Sequence, residues 1–349
     1  MTSPQPRLQS LDALRGLAAL GVVLFHYIPY YDKLYGHHFA LADSATGLLE
    51  FGRYGVHLFF IISGFVILMT LERTRHAGWF ALARGVRLLP ALWTGILLTF
   101  LMVHILGPAD RAVSLPQAIL NTTLLHEYLG QPHVDGAYWS LVVEVTFYAW
   151  IALLFFGLGE WRRIRWVITG WLMLSYAGLI WWSELSAPID FWLKDLMFIK
   201  YAPLFFSGMI LYRQYRQLQP DRFDQCLLVL AIAHCLIAYK APFNVFVLGC
   251  YGVFWLAVSG RLPWLANRPL LWLGSLSYSL YLVHQNIGYG IIGWAYAYGL
   301  LGPVGILLAL GTAFALATLI HYRIEQPCLA WFRNRRAQRP SVAPQSCPG

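Results

Sequence analysis

The sequence predicts an all-α fold: a polytopic membrane bundle of about ten transmembrane helices with both termini in the cytoplasm. Three observations predict it. Of the 349 residues 58% are hydrophobic and only 12% charged, about half the charged fraction of a soluble domain. Apolar runs long enough to cross about 30 Å of hydrocarbon recur along nearly the whole chain. The basic residues gather in alternate connecting segments.

The expected spans are residues 11–31, 54–71, 88–107, 138–158, 166–183, 200–212, 225–240, 243–260, 271–295 and 302–322. With the N-terminus inside, the cytoplasmic segments hold Arg7; Arg73, Arg75, Arg84 and Arg87; Arg162, Arg163 and Arg165; Arg213, Arg216 and Arg222; Arg261 and Arg268; then Arg323 and the cluster from Arg333 to Arg339. The opposite face holds Lys33, Arg53, Arg111, Lys194, Lys200 and Lys240. This positive-inside bias sets the topology and accounts for the formal charge of +9 without a nucleic-acid partner, since no recognition motif accompanies the basic clusters. Residues 1–10 read as a cytoplasmic N-terminal segment, 11–327 as the membrane domain, and 328–349, basic and then rich in proline and serine, as a short interfacial piece followed by a disordered tail. No cleavage pattern follows the first apolar run, so it is expected to remain as a helix. The cysteines at 226, 235, 250, 328 and 347 form no C-x-x-C pair and suggest neither a disulfide framework nor a zinc site.

The first span, "LDALRGLAALGVVLFHY", carries both Arg15 and His26. Eleven residues at about 100° each end about 20° past three full turns, so the two side chains share a helical face roughly 16 Å apart along the axis. Ser10 suits a helix cap and Asp12 the first turn, which leaves Arg15 explicable as a border residue, paired with Asp12 or snorkelling. His26 lies deeper, where a polar group calls for a protein-lined or watery cavity.

The second span carries a Ser63–Gly64 pair, a pattern of close helix packing. In the loop after it, Arg84 and Arg87 share a face just before Pro90 and form a cationic patch suited to phosphates. The polar stretch 116–130 reads as an interfacial helix. In the fourth span Ser140, Glu144 and Tyr148 form a stripe, and an intramembrane carboxylate is a functional candidate. In the ninth, Ser277, Tyr281 and His284 form a second stripe. Glu325, beside Pro327 at the cytoplasmic border, is expected to anchor Arg323, Arg84 or Arg87. His126, Glu127, His133 and Asp135 were weighed as metal ligands, but they lack the i, i+4 spacing of a helical site, and no metal is expected.

Taken in order, these segments resemble the acyltransferase-3 integral-membrane acyltransferases, which modify hydroxyls of cell-surface carbohydrates and some small molecules. The resemblance rests on the Arg15–His26 pair, "FFIISGF", Arg84 and Arg87 before Pro90, "WSLVVEVTFY" with Glu144, "SYSLYLVH" with His284, and Glu325 with Pro327, and it runs from about Leu11 to Leu329. Family members often carry proline two residues after the ninth-span histidine. Asn286 stands there, which puts a helix kink in question.

The resemblance implies a stand-alone O-acetyltransferase of a bacterial inner (plasma) membrane, taking an acyl group, usually acetyl, from cytoplasmic acetyl-CoA or another acyl-CoA to a hydroxyl of a cell-surface or exported carbohydrate. On this reading His26, Glu144 and Arg15 are catalytic: His26 as general base, Glu144 orienting or charge-balancing its imidazole, and Arg15 stabilising the donor or the oxyanion. Arg84, Arg87, Arg15, Tyr281 and His284 hold the donor. The expected partners are acyl-CoA, a carbohydrate acceptor and the lipid bilayer, with no nucleic acid; the acyl group, the acceptor and the oligomeric state stay open. Direct transfer and a transient acyl-enzyme on His26 or a serine are both compatible with these residues. A proton-coupled transporter of glycans or lipids shares the spans and buried charges, but inverted repeats are not visible in the sequence. An acyltransferase acting on a lipophilic small molecule such as a macrolide is the third alternative.

Overall fold

The computed structural model describes residues 6–36, 47–181, 186–216 and 221–337. Among them every regular element is helical. In chain order the longer helices are α1 (Pro6–Phe25), α2 (Gly55–Glu72), α3 (Ala77–Leu106), α4 (Trp139–Leu158), α5 (Trp161–Trp181), α6 (Ala202–Tyr215), α7 (Arg222–Ala238), α8 (Phe243–Val258), α9 (Arg268–Val283), α10 (Gln285–Ala297), α11 (Gly302–Ile320) and α12 (Gln326–Ala337). Nine of the ten expected spans each overlap one of these helices, and the span 271–295 overlaps two, α9 and α10. Six helical segments among the described residues are long and apolar enough to cross a membrane: Gln9–Tyr35, Gly47–Glu72, Ala77–Leu106, Gly136–Leu158, Trp161–Trp181 and Gly302–Arg335.

Several boundaries differ from the expectation. Helix α1 begins at Pro6, so Ser10 lies inside the helix and its hydroxyl donates to the Leu262 carbonyl (3.1 Å) instead of capping. Helix α3 begins at Ala77 and contains Arg84, Arg87 and Pro90, so the arginine pair belongs to the helix itself. The expected interfacial helix shrinks to Leu115–Asn121, whose start is closed by the Ser114 N–H donating to Gln117 Oε1 (2.9 Å). Residues 326–337 form α12, which packs on α3 with Phe332 buried beside Trp79. Residues 1–5, 182–183 of the fifth span and 338–349 of the tail, with Arg339 and Cys347, lie outside the described residues.

Two close helix contacts frame the interior. Helix α1 packs along α9, and a Cβ on Gly16 would stand 2.6 Å from the Gly274 nitrogen. Helix α2 packs along α6, where side chains on Gly64 and Gly208 would run into the Phe205 and Ile61 carbonyls. Small residues let backbones approach where lipid offers no hydrophobic drive between helices. The Ser63–Gly64 pair thus packs as expected at Gly64, while Ser63 does something else.

Two irregularities shape the site. Helix α1 widens into a π-turn over His26–Tyr30, with Pro29 inside it. Proline cannot donate the helical hydrogen bond, and such bulges redirect side chains. The expected span 271–295 is broken at His284, dividing it into α9 and α10. The break forms with asparagine at position 286, because tertiary partners satisfy the freed backbone. The Leu282 carbonyl accepts from the Tyr138 hydroxyl (3.0 Å) and the His284 carbonyl from the Tyr27 hydroxyl (2.6 Å). The Asn286 N–H donates to Asp135 Oδ2 (2.9 Å).

Candidate active site

His26 leaves the end of α1 and meets His284 at the α9–α10 break. His284 Nε2 stands 3.0 Å from His26 Nδ1, and the ring centroids are 5.0 Å apart. The partners determine where the protons sit. His284 Nδ1 lies 2.8 Å from the Tyr281 carbonyl, which only accepts, so Nδ1 carries the hydrogen and Nε2 offers a lone pair. His26 Nδ1 faces that lone pair and also the Val22 carbonyl at 3.0 Å, so it carries a hydrogen as well. In the neutral pair, His26 Nε2 is therefore bare. Among the described residues it has no hydrogen-bond partner, and His26 lines a cavity.

The break that presents His284 is braced by the segment ahead of α4. Asp135 is fully buried; Oδ1 accepts from the Ala137 N–H (2.9 Å) and Oδ2 from the Asn286 N–H (2.9 Å). The Asn286 side chain donates to the Val134 carbonyl (2.9 Å). Buried Asn121 holds the same segment from behind, accepting from the Val134 N–H (3.0 Å) and donating to the Pro132 carbonyl (3.0 Å). Burial pushes the Asp135 carboxyl up to about 6 against these two donors. Sequence reasoning weighed Asp135 only as a metal ligand. The signal for its structural role was its place just before Gly136 and the fourth span, where an aspartate caps a helical turn.

Glu144 sits elsewhere. Its Oε1 accepts from the Ser63 hydroxyl (2.7 Å) and the Tyr148 hydroxyl (2.5 Å), and it makes no hydrogen bond to His26. Around it a cavity of about 360 Å³ is lined by Arg15, Ser63, Arg84, Arg87, Tyr148 and Tyr278. Arg84 Nη2 donates to Thr70 Oγ1 (3.1 Å) and its guanidinium lies 5.8 Å from the Tyr148 ring. The Nε atoms of Arg15 and Arg84 are buried and lack a partner among the described residues. Neither arginine makes an ion pair there, so the expected Arg15–Asp12 pairing does not form. Arg15, Arg84 and Arg87 beside a hydroxyl-rich wall suit an anionic group such as a phosphate. Glu325 is not the anchor of Arg84, Arg87 or Arg323. It accepts from Ser279 (3.2 Å) and lies 2.9 Å from His321 Nδ1.

A narrow void, the neck, lies between this inner cavity and the one at His26. This void of about 40 Å³ shares Arg15, Glu144 and Tyr278 with the inner cavity and Val56 and Tyr281 with the outer one. The outer cavity measures about 590 Å³ and opens at the end of the bundle where α1 finishes and α2 begins. Tyr281, at the neck, donates to the Ala137 carbonyl (2.9 Å) and pairs with the Ser140 hydroxyl (2.6 Å). The structure thus brings together His26 with His284, and Glu144 with Arg15, Arg84 and Arg87. Tyr281 stands between the two groups. His284, read from sequence among the donor-holding residues, belongs to the outer group.

The residues weighed as metal ligands pair with each other or with the backbone. His126 Nε2 and His133 Nδ1 are 2.7 Å apart, and His133 Nε2 lies 3.8 Å from Glu127. Among the described residues no group of three such side chains stands ready to hold a metal.

A helical bundle with six segments among the described residues long and apolar enough to cross a bilayer is an integral-membrane protein. The family model described as "Acyltransferase domain" matches residues 8–322, and the chain belongs to this acyltransferase-3 family. It is accordingly a transferase of acyl groups other than aminoacyl groups. The chain is similar to "Nodulation protein 10" of Rhizobium leguminosarum bv. viciae, 28% identical over 378 residues that cover 96% of each chain. No solved structure matches it.

Proposed function

We propose that this protein carries an acyl group, acetyl in the first instance, from cytoplasmic acyl-CoA to a hydroxyl of a cell-surface or exported carbohydrate in a bacterial inner membrane. One observation carries the reading: a bare imidazole nitrogen in one cavity, with the small void at Tyr281 between it and a cavity lined by arginines. The CoA thioester supplies an activated carbonyl and a good leaving group. Arg84, Arg87 and Arg15 hold its phosphates on the positive-inside face. The neck at Tyr281 and Ser140 admits the acyl end toward His26 and limits the passage of water.

His26 Nε2 accepts the proton of the acceptor hydroxyl as its oxygen forms a bond to the acyl carbon. His284 stabilises the resulting imidazolium by accepting from Nδ1–H. When the carbon–sulfur bond breaks, His26 returns the proton to the departing thiolate, so the proton balance closes without an external base. Asp135 and Asn286 act as positioning residues that hold His284 in place. Glu144, bound to Ser63 and Tyr148, belongs to the donor cavity on this reading and balances its arginines.

Mass spectrometry of surface glycans from strains carrying wild-type or His26→Ala protein tests the proposal. The expected result is the loss of one acyl mass in the variant at equal membrane abundance. An unchanged acyl content would refute it.

A further inference from the structure

The outer cavity has a charge that acyl transfer to a neutral sugar does not require. Its walls carry Lys33, Arg53, Arg111 and Lys200 against a single carboxylate, Glu50. Arg111 is paired with Asp110 at 3.4 Å. Arg53, Lys33 and Lys200 have no ion pair among the described residues. Arg53 instead rests near aromatic faces, 5.4 Å from the Tyr54 ring and 5.9 Å from that of Phe25, and the Lys200 ammonium lies 5.3 Å from the Tyr201 ring. These contacts fix the cationic heads while leaving their N–H donors free. Arg53 and Lys200 also repel one another, a cost that an anion placed between them would relieve.

Two further features suit a sugar beside that anion. Trp139 and Tyr201 both line the cavity, with ring centroids 5.1 Å apart, and bring aromatic surface of the kind that packs on a pyranose to its wall. Gln285, 3% exposed and adjacent to His284, lines the same cavity, and its Oε1 is buried with no partner among the described residues. An unpaired buried acceptor calls for a donor such as a sugar hydroxyl.

We infer that the acceptor is an acidic carbohydrate, whose anionic group is held by Arg53 and Lys200 while a neighbouring hydroxyl meets His26. The inference rests on the acyl transfer proposed above and adds the class of acceptor. A sugar carboxylate and a phosphate ester share the required chemistry.

The test uses strains expressing the full-length protein, from which surface glycans and lipid-linked glycans are isolated and the His26-dependent acyl group is located by tandem mass spectrometry. The expected finding is an acyl group on a repeat unit that also bears an acidic group; carbodiimide reduction identifies a carboxylate and phosphatase or mild acid release a phosphate. The Arg53→Gln/Lys200→Gln double variant should lower acylation about tenfold or more, the loss expected from charge-assisted hydrogen bonds, and Arg53→Lys/Lys200→Arg should retain most of it. With purified protein in vesicles and the isolated glycan, the double variant should raise the acceptor KM, and added salt should raise it in wild type but little in the variant. The KM for the CoA thioester should stay that of wild type. A His26-dependent acyl group on a neutral glycan, or full acylation by a well-inserted double variant, overturns the inference and leaves the acyl-transfer reading standing. Absence of any His26-dependent glycan acylation overturns both.

Discussion

His26 and His284 lie 258 positions apart in the chain, yet their rings share a 3.0 Å hydrogen bond at the point where two membrane helices each lose regularity. The π-turn at His26 and the break at His284 occur side by side; at the first the Val22 carbonyl accepts from His26 Nδ1 of the same helix, and at the second tyrosines from other segments satisfy the Leu282 and His284 carbonyls. The pair is therefore held by the surrounding tyrosines and by Asp135, and its orientation is a property of the packed bundle.

If His26 is the base and His284 its positioning partner, the two variants should differ. His26→Ala should lower transfer by about a hundredfold or more, the usual range for a general base. His284→Ala should lower kcat with little change in the donor KM, and His284→Gln, whose amide oxygen still accepts from His26 Nδ1–H, should recover part of the loss. Steady-state kinetics on purified protein in vesicles checks this; equal losses for the alanine and glutamine variants of His284 would refute the positioning role.

Asp135 and Asn286 form a second coupled pair. Asp135→Asn keeps only one side-chain oxygen for the two backbone donors, so kcat should fall while insertion persists. Asn286→Pro should be tolerated in folding, because the Asn286 N–H has no helical partner and lies in the first turn of α10. The two substitutions touch the same hydrogen bond, so their effects on kcat should be less than additive in a double-mutant cycle.

Glu144 should behave as a donor-cavity residue. Glu144→Gln retains an oxygen able to accept from Ser63 and Tyr148 and should raise the CoA-thioester KM modestly; Glu144→Leu should raise it more. Neither should shift the acidic limb of the pH profile of acceptor kcat/KM, because Glu144 does not touch His26. A shift of that limb in Glu144→Gln would restore the orienting role that the sequence suggested.

Glu127, in the loop before α4, is pushed by burial and by Asp195 from an ordinary 4.5 to about 7. A carboxyl whose folded pKa is raised binds its proton more tightly in the folded state. The stability it contributes is complete below the unfolded value and is lost as pH rises from about 4.5 through 7. Glu127→Gln mimics the protonated form, so its melting temperature relative to wild type should rise across that window in thermal unfolding of the solubilised protein. A difference independent of pH would contradict the assignment.

Much of the architecture was legible because membrane helices are specified locally. Long apolar runs announced the helices. The 3.6-residue period offered Arg15 and His26 as one stripe, although the structure sets them on different cavities. It also grouped Ser140, Glu144 and Tyr148, and within that stripe the Glu144–Tyr148 hydrogen bond forms on a single helix. Helix starts were less legible: Pro6 and Ala77 lie well outside the expected spans, because the polar first turn of α1 carries no hydropathy signal and Arg84 and Arg87 interrupt the apolar run of α3.

What one helix does to another was not legible. Sequence reasoning set Glu144 beside His26, Asp12 beside Arg15 and Glu325 beside the arginines. The structure sets Ser63 on Glu144, leaves Arg15 free of ion pairs among the described residues, and gives Glu325 to Ser279 and His321. Sequence by itself determined the helical membrane class, the inventory of polar groups and their positions along each helix. Only the tertiary structure decided which polar groups meet, because that depends on how α1 settles on α9 and α2 on α6 through glycines whose contacts are distant in the chain. The backbone groups freed at the His284 break likewise find their partners only after the bundle has closed.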